Sequence, residues 1–456
     1  MRYFTNFKMG TAKIILLTSI VLVGIVGCNT KQERWNQFHG NANNVGYTGI
    51  KTVSAIRENI FWSQPIGPPG FASPVIGADE IVYISTMDCR VFGFNPDKTL
   101  RYFIQLDSKL ILSTPTYGQD GMIYLTSLKF IENTSPRKYK SALHILRPGL
   151  TLTLLKSFDL PDDEITTAPP KTYRVKEDMF IFVPGYGNLQ SSILIFKNLS
   201  GLVQNEKIFC PQELTNDGND AWKYVLGILS GGLSALIPDL NPNKFEIEGI
   251  QLREWQLDPT FGFLEDTARQ NLIIVAPFNF CGIQGYEWNI KTQELKKIWT
   301  ATGLEYSSYG SPAIFKVNGE TILGDKEGNI YKIHARTGIY RKINVEESIL
   351  STPCIVPGGD AFIVGENSLY WISGTSTFEN ADKIFKLPSS SMASPAVSLN
   401  QVYISHSNGI LTLDESLTNL TSFETVAGGL SSPAISKTGT IYFATTAGML
   451  LAFKSN

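Results

Sequence analysis

One phrase recurs along this chain and constrains its fold more than any other feature. A small residue and a proline open each unit: Ser73-Pro74, Thr114-Pro115, Ala168-Pro169, Ser311-Pro312, Thr352-Pro353, Ser394-Pro395 and Ser432-Pro433. A short apolar run follows, then a Gly/Asp/Asn turn, then a second apolar run. Neighbouring prolines lie 41 residues apart (74 to 115), then 54 (115 to 169), and later 41, 42 and 38. Repeats of about 40–50 residues made of short strands are the pattern of propeller blades. Each such unit buries its faces only against its neighbours, so the array must close on itself.

The first unit reads strand by strand. Ser73-Pro74-Val75-Ile76 begins strand A, and proline is tolerated at a strand's first position. Gly77-Ala78-Asp79 turns the chain, and Ile81 to Ile84, rich in β-branched and aromatic residues, is strand B. Val91 to Phe94 is strand C, and Leu100 to Leu106 is strand D. A less obvious unit starts near Pro259, with Leu272 to Val275, Gly285 to Trp288 and Leu295 to Trp299 as its later strands. Counting it gives eight openings. The interval from 169 to 259 is 90 residues, roughly two blades long. We expect an all-β, eight-bladed propeller of four-stranded antiparallel blades with an insertion near 200–258. A ninth degenerate unit there, or seven blades if one unit is miscounted, are the alternatives.

The two ends bear on closure. The last unit has Ile441 to Phe443 and Met449 to Phe453 but lacks a strand D. Asn59 to Ser63, ahead of the first Ser-Pro, reads as an orphan strand D. The expectation is that 59–66 pairs beside 449–454 and closes the ring, removing an edge that would template aggregation.

The beginning of the chain reads as a targeting device. Arg2, Lys8 and Lys13 precede an apolar run of 13 residues, Ile14 to Val26. That is too short to span a bilayer comfortably and suits a signal-peptide core. Ile25-Val26-Gly27-Cys28 resembles the bacterial lipobox, which implies that Cys28 carries a diacylglycerol and heads the mature chain. Asn29 rather than Asp favours the outer membrane in a host with two. The expected organisation is a lipoprotein signal peptide at 1–27, a tether and lead-in motif at 28–58, and the propeller at 59–456. Net charge is −2, and no Lys/Arg cluster marks the remainder, so nucleic-acid binding has no electrostatic support. Cys89, Cys210, Cys281 and Cys354 lack zinc spacing; they read equally as one or two disulfides or as buried thiols.

The phrase at 73–97, SPVIGADEIVYIS followed by RVFGFNPD, is close to the repeat of the pyrroloquinoline-quinone-type β-propeller superfamily. Trp35-Asn36-Gln37-Phe38-His39-Gly40-Asn41, followed by Gly46, resembles the motif that leads into the first blade in many members. The resemblance covers 34–456. It implies the fold, and that fold hosts enzymes, scaffolds and binding proteins alike. One lipid-anchored member is the propeller subunit of the outer-membrane β-barrel assembly machinery, a partner-binding scaffold; the 200–258 segment is extra relative to it.

The quinoprotein dehydrogenases of the superfamily imply a quinone held between a Trp and a vicinal Cys-Cys disulfide, a calcium held by Glu, Asn and Asp, and an Asp base. No adjacent cysteines occur in this chain, and of the strand D positions only Trp299 fits the tryptophan-docking repeat. His39, His144 and His334 read as structural. Gly232-Leu233-Ser234-Ala235-Leu236 lacks the last glycine of a nucleophile elbow. Asp239-Leu240-Asn241-Pro242-Asn243 starts like a calcium loop but has Lys244 and Ile250 where Gly and Glu are needed. Asn216 to Asp220 is explained by Asx-turn chemistry. No catalytic, cofactor or metal residue is assigned.

A binding surface remains. Loops on a rigid scaffold carry function, and the 200–258 segment holds Trp222 and Tyr224 as candidate partner-binding residues beside an apolar stretch. Thr166, Thr167 and Pro169 are expected to line the channel. The sequence therefore points to a monomeric, lipid-anchored envelope protein that binds or scaffolds an envelope partner, with outer-membrane assembly as the case the resemblance supplies. A quinoprotein-like dehydrogenase, or a sensor with a small ligand in the channel, is the alternative.

Overall fold

The computed structural model describes residues 35–56, 59–131, 138–161, 164–186, 190–209, 259–278, 282–301, 310–414, 416–418, 420–425 and 428–454. They form eight four-stranded antiparallel sheets. In blade 1 the strands are Val75–Ile76, Val82–Ser85, Arg90–Phe94 and Leu100–Gln105, here A to D from the axis outward. Strand A of blades 2 to 8 starts at Thr116, Lys171, Gly262, Ala313, Cys354, Ala396 and Ala434. Each start follows its proline closely, since a fixed φ and a missing N–H suit the first position of a strand. All eight openings are thus blades.

The N-terminal strand Ile60–Pro65 closes the ring as expected. It pairs antiparallel with Met449–Phe453, with Trp62 opposite Ala452 and Pro65 opposite Met449, and so is strand D of blade 8. Trp62 also corrects the sequence reading, which credited Trp299 alone with docking. The Trp299 indole lies against Gly285 and Gly338, where an added Cβ would sit 2.0 and 2.7 Å from ring atoms, and its Nε1–H donates to Ala335 O at 2.7 Å in blade 5. Trp62 does the same for blade 8, donating to Pro96 O of blade 1 at 2.8 Å. Tyr102 uses its hydroxyl instead, donating to Gly149 O of blade 2 at 3.0 Å.

Aromatic side chains fill the seams between blades. Trp288, fully buried in blade 4, meets Phe180 and Phe182 of blade 3 edge-on at 4.9 and 5.4 Å. Tyr83 stacks on Tyr117 of blade 2 at 5.7 Å. Such pairs add roughly 0.5–1.5 kcal/mol each beyond the area they bury. Cys89 and Cys354 are buried free thiols, whereas Cys210 and Cys281 lie outside the described residues.

Blade 3 is complete by Phe209, because Gly201–Phe209 is its strand D, paired along Gln190–Lys197. The first residues of the segment set aside from 200 onward are therefore sheet. Residues 210–258, with Trp222, Tyr224 and the loops at 216–220, 232–236 and 239–243, lie outside the described residues.

Candidate functional site

The hydroxyl residue before six of the eight opening prolines has a mechanical use. Ser73 N donates to Thr114 Oγ1 of the next blade at 2.9 Å, and Ser432 N donates to Ser73 Oγ at 2.9 Å across the closure. Ser311 N to Thr352 Oγ1 (2.8 Å), Thr352 N to Ser394 Oγ (2.9 Å) and Ser394 N to Ser432 Oγ (2.9 Å) continue the same relay. Thr260 N joins it through Ser311 Oγ at 2.9 Å. Side-chain oxygens thus satisfy buried backbone donors that the short inner strands leave over. The relay encircles a cavity of about 50 Å³ lined by Phe38, Thr114, Thr167, Pro169, Leu350 and Met392 among others. Thr167 and Pro169 are where the sequence placed them. Thr166 is not among the residues lining this cavity; its N–H donates to Ser141 Oγ at 2.8 Å.

One end of this channel is covered by the lead-in motif, on the face made by the A–B and C–D turns. From Trp35 onward the segment winds past the inner strands in blade order. Trp35 O and Asn36 O accept from Ile76 N and Tyr117 N, both at 2.7 Å. Ala42 O accepts from Phe263 N (3.0 Å), Asn43 O from Ile314 N (2.9 Å), Val45 O from Ile355 N (2.9 Å) and Gly46 O from Val397 N (2.8 Å). Blade 3 takes part through a side chain. Lys171, wholly buried, donates from Nζ to Phe38 O at 3.2 Å, to Asn41 O at 3.0 Å and to Asn44 Oδ1. Burial pushes the pKa of this amine well below its ordinary value.

The motif residues can now be placed. Trp35 is buried, and Phe38 projects into the cavity. Gly40 and Gly46 hold φ of +94° and +61°, the left-handed region that glycine favours. A Cβ on Gly46 would lie 2.3 Å from Cε1 of His39. That imidazole has Nδ1 2.7 Å from Asn44 O and Nε2 2.7 Å from Pro395 O. Burial pulls its pKa down to about 4, against the two carbonyl oxygens, which favour a donor on each ring nitrogen. His39 is a structural clip, as its place in the motif suggested.

The opposite face, made by B–C turns and D–A loops, is uneven. In blade 2 strands B and C run Ile123–Ile131 and Lys138–Pro148, against Val82–Ser85 and Arg90–Phe94 in blade 1. About five extra residues per strand lift this hairpin roughly 16 Å beyond its neighbour. The end of blade 3 strand D, from which 210–258 departs, is on the same face.

Two polar clusters lie beneath it. His144 Nε2 is 2.6 Å from Ser127 Oγ and Nδ1 is 2.7 Å from Ser157 Oγ, with Ser108 Oγ 2.8 Å from Ser127 Oγ. A serine touching a histidine has the form of a nucleophile and its base. Ser127 is only 2 % exposed and both ring nitrogens are occupied, so the cluster is a satisfied join between blades. Glu164 is different. It is 1 % exposed, and neither carboxylate oxygen has a hydrogen-bond partner. Burial raises its pKa; Ser192, Lys207 and Asn205 lie near enough to oppose that, yet neither Ser192 nor Asn205 aligns into a hydrogen bond. Nothing in the sequence singles out Glu164, the last of three consecutive acids, Asp162-Asp163-Glu164.

The quinone cofactor implied by the superfamily can be tested against these residues. The cavity lining contains no carboxylate, tryptophan or cysteine, and its volume of about 50 Å³ is far below the few hundred a bound organic ligand needs. Among the described residues no group of three or more His, Cys, Asp or Glu is placed to hold a metal. The described residues of the channel do not fit the quinone-and-calcium group.

No family model and no curated protein matches the chain. Solved structures do. A europium-containing methanol dehydrogenase aligns with a TM-score of 0.62 and 11 % identity, over 91 % of this chain and 90 % of that one. A quinohemoprotein alcohol dehydrogenase from Comamonas testosteroni gives 0.65 and 9 %, over 94 % and 81 %. Sqt1 from Saccharomyces cerevisiae gives 0.59 and 12 %, over 88 % and 100 %. At such identities the likeness concerns the fold and leaves the activity open. The chain has a β-propeller fold similar to that of these proteins, in eight blades closed by an N-terminal strand.

Proposed function

We propose that this protein is a lipid-anchored binding or scaffolding protein of the cell envelope, held through Cys28, which recruits a protein partner with its B–C/D–A face. The observation that carries the reading is the contrast between the two ends of the ring. One end is filled by the lead-in segment, and the cavity beneath it is too small for an organic cofactor. The other carries the raised blade 2 hairpin beside the departure point of 210–258. Rigid projecting hairpins lower the ordering cost of association, which is what a recognition surface needs. Outer-membrane assembly is the finer form of this proposal.

The test is site-specific photo-crosslinking in cells. A photoreactive residue at Lys129, in the blade 2 hairpin, should capture one defined envelope protein. Replacing 211–257 by a short Gly/Ser linker should abolish or weaken that product while the chain still folds. Capture only from turn-face positions such as Asp97, or from none, would sink the reading.

A further inference from the structure

We propose that the A–B/C–D turn face rests on a lipid bilayer surface, with Leu150, Val317 and Ile339 entering its interface. The proposal rests on the lipid-anchor reading of Cys28 and adds to it the orientation of the ring.

The exposed apolar side chains are segregated. Among the described residues, every large hydrophobic that is substantially exposed lies in an A–B or C–D turn or on an outer strand D; none lies in a B–C turn or a D–A loop. The three most exposed are turn tips: Leu150 at 93 %, Val317 at 82 % and Ile339 at 73 %. Leu150 is in the C–D turn of blade 2, after Lys138–Pro148. Val317 and Ile339 are in the A–B and C–D turns of blade 5, around Glu320–Gly324 and before Tyr340–Asn344. Leu199 in blade 3 and Leu399 in blade 7 add exposed turn residues elsewhere on the same face. A protein partner buries one contiguous patch. Apolar tips spread around a ring define a plane, and a planar apolar-seeking partner is a membrane interface.

The chain's course agrees. The lead-in segment lies on this face, and Trp35, its first described residue, is bonded through its carbonyl to Ile76 at 2.7 Å. Cys28 is seven residues earlier. An extended chain of that length reaches at most about 25 Å, so an acylated Cys28 keeps this face, not the opposite one, near the bilayer. Exposed Arg147, Lys316 and Arg341 flank the three tips in sequence, and basic residues beside apolar ones are the interfacial pattern. Exposed Asp79, Asp97, Glu177, Glu294, Glu379 and Asp382 share the face, so the apolar tips rather than net charge set the contact.

The test reconstitutes the full lipoprotein in vesicles of phosphatidylethanolamine and phosphatidylglycerol doped with a phospholipid carrying an acyl-chain diazirine. After illumination, lipid adducts are mapped by mass spectrometry. Adducts are expected in the peptides holding Leu150, Val317 and Ile339 and not in the B–C turns at 326–328 and 407–408. The triple variant Leu150→Asp, Val317→Asp, Ile339→Asp should lose these adducts at least tenfold while its Cys28 acylation and backbone exchange protection stay unchanged. Adducts on the B–C turns, acylated protein without adducts at the tips, or tip-to-tip links between copies would each overturn the proposal. If Cys28 carries no acyl chain, the anchor reading fails on its own; adducts at the tips of the unacylated chain would still uphold the face, and their absence would end it.

Discussion

Lys171 is the side chain whose removal tests the channel cover most directly. Its ammonium donates to three oxygens of the lead-in segment, at 3.2 and 3.0 Å and in a shorter contact with Asn44 Oδ1. Lys171→Met keeps the length of the chain and removes every donor. Hydrogen bonds from a charged group contribute about 1.5–3 kcal/mol each, and a buried acceptor left without a donor costs about 1–3. Against this stands the cost of keeping an amine buried, evident in its strongly lowered pKa. The net expectation is a loss of about 3 kcal/mol in docking the segment, close to a hundredfold in its opening equilibrium. Hydrogen exchange reads that equilibrium directly. The amides of Ile76, Tyr117, Phe263, Ile314, Ile355 and Val397 all donate to the segment. In the variant they should exchange roughly a hundredfold faster, together, while amides of the strand B–strand C ladders keep their protection. Unchanged exchange at these six positions would refute the reasoning, and uniform loss across all blades would show that Lys171 supports the ring rather than its cover.

Three further outcomes follow from the same geometry. Trp62→Ala removes a nearly buried indole and its bond to Pro96 O, so the urea midpoint should fall by the equivalent of about 3 kcal/mol; an unchanged midpoint would mean the N-terminal strand does not hold blade 8 to blade 1. Gly46→Ala combines a φ of +61° with a Cβ 2.3 Å from the His39 ring, and should cost about 2 kcal/mol and speed exchange at Val397; a neutral result would place His39 outside the clip. Glu164 has a raised pKa, so the folded state holds its proton more tightly than the unfolded chain. Its stabilising contribution is complete below the ordinary carboxyl range and is lost as pH rises through the raised folded value. Glu164→Gln should flatten that decline in stability with pH, and parallel curves for the two proteins would contradict it.

The fold was legible because the repeat writes its own mechanics into the chain. Proline marks where strand A begins, and the hydroxyl before it is the acceptor for the neighbouring blade's N–H, so the same two letters return at most openings. Closure was legible for a complementary reason: one unit lacked a strand and the other end had a spare. Trp62 is hard to recognise in the sequence because it precedes the first phrase, far along the chain from the blade it completes. Gly201–Phe209 is hard to see because the long interval before Pro259 repeats no blade phrase, although Asn198-Leu199-Ser200-Gly201 is a turn followed by a strand-like run. Lys171 and Glu164 had no sequence signature. A buried lysine is recognised only when the three oxygens around it are seen, and those come from residues 127–133 positions away.

Function is harder to read for the same physical reason. A repeat fixes the residues that every blade needs, so what is particular to this protein sits where the repeat is broken. The interval from Pro115 to Pro169 is 54 residues where the one before it is 41, and the difference appears as the raised blade 2 hairpin. The turn tips break it in another way. Turns are built from Gly, Asn, Asp and Ser because those residues favour the required dihedrals or bond to nearby backbone. Leucine after Pro148-Gly149, valine after Lys316 and isoleucine after Thr337-Gly338 do neither, and burial does not explain them, since they are among the most exposed side chains in the molecule. Single exposed aliphatic residues are common on protein surfaces, so what is particular here is that the described turn tips carrying them share one face. The two departures lie on opposite faces, and the lead-in segment covers one end of the channel between them. A ring of this kind holds two surfaces apart at a fixed distance and orientation, which is what the proposed scaffold role requires.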